Sequence, residues 1–201
     1  MNDMKKSIKS LRFLSLFVGI LLIGTTTFAQ SKWVIDPAHS ELTFRVKHMM
    51  ISNVKGEFTN FSIDVSGEDI LKSQITVNVD ATSINTNNND RDNHLKSADF
   101  FDAENHKELT FKSTSFKKVS GDKYELKGML TIKDVTKEVV LDVEFGGINK
   151  DPWGVDKAGF SISGVINRKD WGLNWNAALE TGGVLVSDEV RIFGEIQFSK
   201  Q

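Results

Sequence analysis

From about residue 32 to the C-terminus, this chain alternates apolar and polar side chains almost residue by residue. Leu42, Phe44 and Val46 share one phase, and Thr43, Arg45 and Lys47 the other. Ile75, Val77 and Val79 alternate with Thr76, Asn78 and Asp80, and Tyr124, Leu126, Leu130 and Ile132 with Glu125, Lys127 and Lys133. The same rule holds for Val139 to Phe145, Phe160 to Ile166 and Val190 to Phe198. A period of two is that of a β-strand, whose successive side chains point to opposite faces. With 54–65, 109–118 and the short Trp33–Asp36, eight or nine strands are expected. Ser66-Gly67-Glu68-Asp69, Ser120-Gly121-Asp122-Lys123 and Lys133-Asp134-Val135-Thr136 read as hairpin links. Strands that are each apolar on one face form an antiparallel sheet closed over that face. The expected class is therefore all-β, a barrel, with a two-sheet sandwich as the competitor. In a membrane barrel the apolar face would point outward between aromatic girdles. One Tyr and four Trp do not make such belts.

Two interruptions break the alternation. Val54, Gly56 and Phe58 lie in one phase and Phe61, Ile63 and Val65 in the other, which calls for a β-bulge near Thr59-Asn60. The stretch from Asn85 to Glu104 has no period of two. Asn88 or Asn89 is a suitable N-cap, and Asp90 and Asp92 favour a helix start. A short helix over about 89–98 is expected, capping one barrel mouth, with Leu95 and Ala98 packed down onto it.

The N-terminus carries an export signal. Lys5, Lys6, Lys9 and Arg12 precede the apolar run Phe13–Gly24, and Thr27-Phe28-Ala29 forms a small-x-small cleavage pattern. Cleavage after Ala29 is expected, leaving residues 30–201 as one domain in the periplasm or secreted. An uncleaved anchor is the alternative. The absence of cysteine excludes disulfides, thiolate chemistry and a lipoprotein anchor. Without residues 1–29 the chain has 21 basic and 26 acidic residues, a net charge of -5. That balance argues against a nucleic-acid partner. No later apolar run is long enough for a membrane helix, so no stable membrane insertion is expected after cleavage. A homodimer through edge strands is an expectation that alternation permits but does not locate.

Four glycines fall in the inward phase: Gly56, Gly128, Gly164 and Gly194. Glycine inside a strand costs roughly 0.5–1 kcal/mol, so each needs a reason. Missing side chains would leave a tunnel; equally, glycine lets strands bend at barrel corners. A tunnel walled by Phe, Ile, Leu and Val suits a hydrocarbon chain. At about 0.8 kcal/mol per buried methylene, one five-carbon isoprene unit contributes roughly 3–4 kcal/mol before ordering costs.

Polar candidates are few. His48 continues the inward phase of Val46 and is expected at the barrel end, either meeting a head group or satisfied locally. Arg91 and His94, three apart on the expected helix, share a face and could bind an anionic or oxygenated head group. The alternative ties Arg91 to Asp90, Asp99 or Asp102. His39, His48, His94 and His106 lack any metal-motif spacing. The chain has no G-x-S-x-G, Walker or G-x-G-x-x-G motif. No catalytic residue, metal or cofactor is assigned, although a metal- or head-group-dependent enzyme at the mouth is the competing reading. Trp171 and Trp175 are read as core or loop packing.

Several segments together resemble the YceI-like family. They are WVIDPAHSELTFRVKHM (33–49), VKGEFTNF (54–61), SINTNNNDRDNHLKSADFFD (83–102), LTFKST (109–114), LKGMLTIKDVTKEV (126–139), DPWG (151–154) and GFSISGVINRKDWGL (159–173). The departure is Glu108-Leu109, where the family usually has a proline; it should alter a loop only. The resemblance implies an eight-stranded antiparallel lipocalin-like barrel with a short capping helix. It implies binding of an isoprenoid, quinone or similar long-chain lipid for carriage or storage. The cavity expectation comprises Phe44, Val46, His48, Gly56, Phe58, Val77, Leu126, Gly128, Leu130, Phe160, Ile162 and Gly164. The mouth expectation comprises Arg91, His94, Asp99 and Phe100.

Overall fold

The computed structural model describes residues 32–180 and 182–201. The expected leader, residues 1–29, lies outside them. The alternating stretches form β1 (Trp33–Ile35), β2 (Glu41–His48), β3 (Ser52–Phe58), β4 (Phe61–Ser66), β5 (Gln74–Asp80), β6 (Ile84–Asn85), β7 (Glu108–Ser120), β8 (Lys123–Ile132), β9 (Val135–Lys150), β10 (Asp156–Asn167) and β11 (Val186–Lys200). The helix α1 (Asn89–Lys96) follows β6.

These eleven segments build eight barrel staves, three of them broken. β1 and β2 both lie antiparallel on β11, with Val34 opposite Ser199 and Phe44 opposite Ile192. Between them Pro37–His39 make one 3-10 turn, started by the Asp36 side chain accepting from the Ala38 N–H. β3 lies on β2 while β4 lies on β1 and β5, so β3 and β4 form the second stave. β5 and β6 form the third, on β4 and β3. β7 to β11 are continuous, and pairing of β1 with β11 closes the ring. Every neighbour is antiparallel. The result, among the described residues, is a closed eight-stranded barrel with one α-helix.

The expected bulge near Thr59-Asn60 is instead a two-residue break between β3 and β4. The break between β5 and β6 sits directly across from it. The Thr59 N–H donates to Ser83 O at 3.2 Å, and the Asp80 N–H donates to Asn60 O at 3.0 Å. Two adjacent staves thus bend together without orphaning backbone groups. A bulge does occur in β9, where the register against β10 shifts at Gly159/Phe160 and Gly147 takes φ 101. Gly121 (φ 52) and Lys133 (φ 55) sit in the tight links after β7 and β8. The expected hairpin at 66–69 is the start of a longer loop, residues 67–73.

One barrel end is plugged. Trp33, Val65, Ile70, Tyr124 and Phe198 are buried there, and the Trp33 indole N–H donates to Glu68 O at 3.0 Å. At its rim Asp36 gathers three side chains. Lys157 Nζ lies 3.1 Å away, Gln197 Nε2 donates at 3.2 Å, and His39 Nδ1 stands at 3.1 Å. Burial alone would raise the Asp36 pKa; hydrogen bonds from Lys157 and His39, with their charges, outweigh it and hold the carboxyl below its ordinary value. The other end carries α1. Asn88 caps it, accepting from the Arg91 N–H at 2.9 Å. The helix stops at Lys96, so Ala98 lies beyond it and is exposed instead of packed, while Leu95 does pack inward.

The inward glycines do not leave the vacancies expected of them. A Cβ on Gly56 would lie 2.3 Å from the tip of the Phe44 ring, its cross-strand partner. On Gly128 it would lie 2.3 Å from the Phe111 ring and 2.6 Å from Lys112 O. On Gly164 it would lie 2.4 Å from Leu141 Cδ2. These three glycines are seats on which a neighbouring side chain lies back against the wall. Gly194 differs: its nearest neighbours, on Ile162 and Glu41, stand at 3.6–3.7 Å, ordinary contact distance.

Two outcomes follow from these contacts. Gly128→Ala forces Phe111 off its seat and lowers stability by about 1–3 kcal/mol, whereas Gly194→Ala is neutral or gains up to about 1 kcal/mol; urea denaturation distinguishes them. Asp36→Asn lowers stability at pH 7 by about 1–3 kcal/mol, because charge-assisted bonds are lost. The folded carboxyl has the lowered pKa, so this stabilisation is present above the unfolded value of about 3.9 and fades as pH falls through the folded one. Denaturation curves of the two proteins should therefore differ at pH 7, begin to approach each other at about pH 4, and converge only once pH has fallen below the lowered folded pKa.

Candidate binding cavity

Alternation places a row of apolar side chains from every stave inside the barrel, and they do not fill it. A cavity of about 250 Å³ remains between the plug and α1. Phe44, Val46, Phe58, Val77, Leu126, Leu130, Phe160 and Ile162 line it, as do Gly194 and Phe100. Phe61, Phe101, Phe111, Phe116, Ile192 and Phe198 complete much of the wall. Among the lining residues only Thr43, Thr110 and Arg168 carry polar side chains. Rings continue from one stave to the next. Phe44 and Phe58 lie 5.9 Å apart, and Phe58 meets Phe101 edge-on at 5.9 Å. Phe145 and Phe160 lie 5.0 Å apart, and Phe160 and Phe198 6.0 Å. Gly56, Gly128 and Gly164 stand behind the rings and methyls seated on them and are not among the lining residues. His48 ends β2, opposite Val186 and Ser52, and is likewise not part of the lining.

The mouth is built from α1, the segment 97–103 and the segments 173–180 and 182–185. Arg91 does not join His94 in one anion site. Its Nε donates to Thr86 Oγ1 at 2.7 Å and its Nη2 to Thr86 O at 2.8 Å. Asp92, buried, accepts from the Thr86 N–H at 2.9 Å and from its hydroxyl at 2.5 Å. Arg91 and Asp92 thus fasten the first turn of α1 to the chain leaving β6. The expected carboxylate partners Asp90, Asp99 and Asp102 play no part in this; Thr86 takes their place. His94 turns elsewhere. Its Nε2 lies 2.9 Å from Asp99 Oδ2, and its ring meets Trp175 at 4.7 Å and Phe100 at 5.1 Å, both edge-on. Trp175 is therefore a mouth residue. Trp171 is packing, 2% exposed, with its indole N–H donating to Leu130 O at 3.1 Å.

Arg168 is the charged residue that alternation could have revealed. It continues the inward phase of Phe160, Ile162, Gly164 and Ile166 one step beyond β10. It is 4% exposed and lines the cavity near its mouth. Nε donates to Ser187 O at 3.0 Å and Nη1 donates to Leu173 O. Nη2 lies 3.5 Å from Asp188 Oδ1. Burial pushes its pKa down, against the opposing charge of Asp188. The guanidinium's donors are taken up in tying β11 to the segment after β10, and its stem faces the cavity. The arrangement offers hydrocarbon surface throughout and polar groups only at the rim.

A family model described as a YceI-like domain matches residues 33–198. A UPF0312 protein of Staphylococcus aureus strain MSSA476 is 43% identical over 174 residues, covering 84% of this chain and 98% of that one. The crystal structure of a Campylobacter jejuni YceI protein superposes with a TM-score of 0.67 at 34% identity, covering 77% of this chain and 90% of that one. A polyisoprenoid binding domain from Saccharophagus degradans, implicated in plant cell wall breakdown, shares the fold with a TM-score of 0.63 at 13% identity, covering 85% and 99% of the two chains. The chain belongs to the YceI-like domain family.

Proposed function

We propose that this protein is an exported carrier or reservoir for a long-chain isoprenoid or quinone-type lipid, which it holds by the tail inside the barrel. The cavity carries the reading: it is walled by hydrocarbon from all eight staves. Such a wall binds an apolar chain through burial alone, and only Thr43, Thr110 and Arg168 along it carry polar side chains. The family and the polyisoprenoid binding domain of Saccharophagus degradans point the same way. Export rests on the basic and apolar leader ahead of Ala29.

The cavity also limits the ligand. At about 250 Å³ it lies just below the range of roughly 300–1,000 Å³ usual for small-molecule sites. A few isoprene units fit; the remainder and any head group lie at the mouth, beside His94, Asp99 and Trp175. The way the members of that cluster are engaged supports the binding reading over a catalytic one. Arg91 holds Thr86, and His94 is paired with Asp99.

Native mass spectrometry of protein purified gently from an exporting host tests the reading. A co-purifying apolar mass is expected. Protein that emerges empty and takes up neither isoprenoid quinones nor polyprenyl phosphates would sink it. Gly194→Phe should fold, since a Cβ there has room, and its ring should cut uptake at least about tenfold by displacing one or two buried methylenes' worth of binding. Arg91→Ala should weaken retention of quinones and polyprenyl phosphates alike, because Arg91 fastens α1; loss confined to the phosphates would instead assign the guanidinium to the head group.

A further inference from the structure

The link between β2 and β3 is built against its own backbone preference. The Ile51 N–H donates to His48 O at 3.1 Å, closing a four-residue turn. Its two central residues, Met49 and Met50, have φ 50 and 62. A turn with two positive φ values is the hairpin turn that favours Asn-Gly, and the left-handed region is disfavoured for large side chains. Here it carries two methionines, followed by an isoleucine. All three face solvent: Met49 is 41% exposed, Met50 54% and Ile51 80%. Val184, on the neighbouring mouth segment, is exposed beside them, and Met50 Cγ comes within 4.0 Å of where a Cβ on Gly183 would lie. The Met49 N–H donates to Leu185 O at 2.7 Å, so the tip is fixed to the rim. An apolar tip in a costly conformation at the open end of a barrel is an anchor in search of an apolar phase.

The charges beneath the tip identify that phase. On the outer faces of β2, β3 and β11, Arg45 stands opposite both Lys55 and Arg191, and Lys47 lies one step nearer the tip. All four are exposed. Arg191 is paired with Glu189 at 3.1 Å, and Arg45 lies over the Phe193 ring at 5.2 Å. Arg45, Lys47 and Arg191 border an outer groove together with Met50, Asn53, Ser187, Glu189 and Phe193. This local basic face contrasts with a chain that is acidic overall. Apolar residues at a tip with cations one layer behind match the layers of a bilayer surface, acyl chains below anionic head groups.

We propose that the Met49–Ile51 tip is a membrane-docking element. It inserts into the outer layer of an anionic phospholipid bilayer, with Arg45, Lys47 and Lys55 on the head groups. Docking there sets the barrel mouth against the bilayer; its use for lipid transfer rests on the cavity reading above, while the docking itself does not.

Co-sedimentation with phosphatidylcholine vesicles, with and without about one-quarter phosphatidylglycerol, tests this. The protein should bind the anionic vesicles, and binding should weaken in high salt. Ile51→Glu and Met50→Glu should each lower vesicle affinity about tenfold, with thermal stability and uptake of a quinone from detergent micelles unchanged. Lys47→Glu should remove part of the salt-sensitive binding. Trp153, 86% exposed on the link after β9 at the opposite end, supplies the control: Trp153→Ala should bind as the parent does. Failure of the parent protein to bind anionic vesicles, parental binding by Ile51→Glu, or loss of binding in Trp153→Ala would each overturn the proposal. Vesicle binding by protein that takes up no lipid supports docking and fails the cavity reading; uptake without vesicle binding does the reverse.

Discussion

Everything in this molecule depends on closing a sheet over its own apolar face. Closure satisfies the backbone hydrogen bonds of neighbouring staves and places alternate side chains in one interior. An eight-stranded ring is just wide enough for side chains to fill or for one small ligand to occupy. Which of these results depends on whether the inward side chains project or lie back. Phe44 over Gly56, Phe111 over Gly128 and Leu141 over Gly164 lie back. The glycines keep the interior open by receiving their neighbours, not by being vacant themselves. An alanine at such a seat would tip a ring or a leucine toward the axis, so the width of the cavity is written in residues that never touch it.

The two ends of the ring solve opposite problems. At the plugged end Trp33, Ile70, Tyr124 and Phe198 are buried in the core cluster, and the Asp36 cluster pins the first stave to β10 and β11. At the other end α1 lies across the opening and contributes one apolar side chain, Leu95, to the lining from within its own length. Phe100 and Phe101 reach in from the segment that follows. The helix is held chiefly by polar bonds to Thr86. Hydrogen bonds to a charged group are worth about 1.5–3 kcal/mol each, and the four that Arg91 and Asp92 make all run to Thr86. The end that a ligand must pass is thus fastened largely at one residue, whereas the plugged end is packed from several staves.

Period-two alternation made the barrel legible, and with it the inward phase of almost every lining residue, because a side chain's face in a strand follows from parity alone. Parity fails where the chain leaves the sheet. The break at Thr59-Asn60 reads as a phase slip, but its match with the Asp80–Ile84 turn is a contact between staves that no local pattern carries. Parity also says which way a residue points without saying what stands beside it. Gly56 and Gly194 share an inward phase, yet a Cβ on one would collide with a ring and on the other would meet its neighbours at ordinary contact distance. Arg91 shows the limit of helical spacing: a shared face with His94 does not bring the two to one site when Thr86 and Asp99 compete for them. Arg168 was within reach of parity, since it extends the Phe160–Ile166 phase, and its charge is what conceals it among apolar residues.

A cavity without polar partners recognises a ligand by volume and hydrophobicity. Each methylene inside contributes about 0.8 kcal/mol, and nothing in the wall rewards one apolar chain over another of equal girth. For a lipid longer than the roughly 250 Å³ interior, additional length adds no affinity once the cavity is full. Selectivity must then reside in what stays outside, where His94, Asp99, Phe100 and Trp175 frame the opening. The wall and the mouth are therefore under separate constraints. The wall must keep its seats and its girth or the barrel loses both packing and capacity. At the mouth, exposed positions such as Asp99 can change at less cost in stability than buried Phe100 or the residues of the wall.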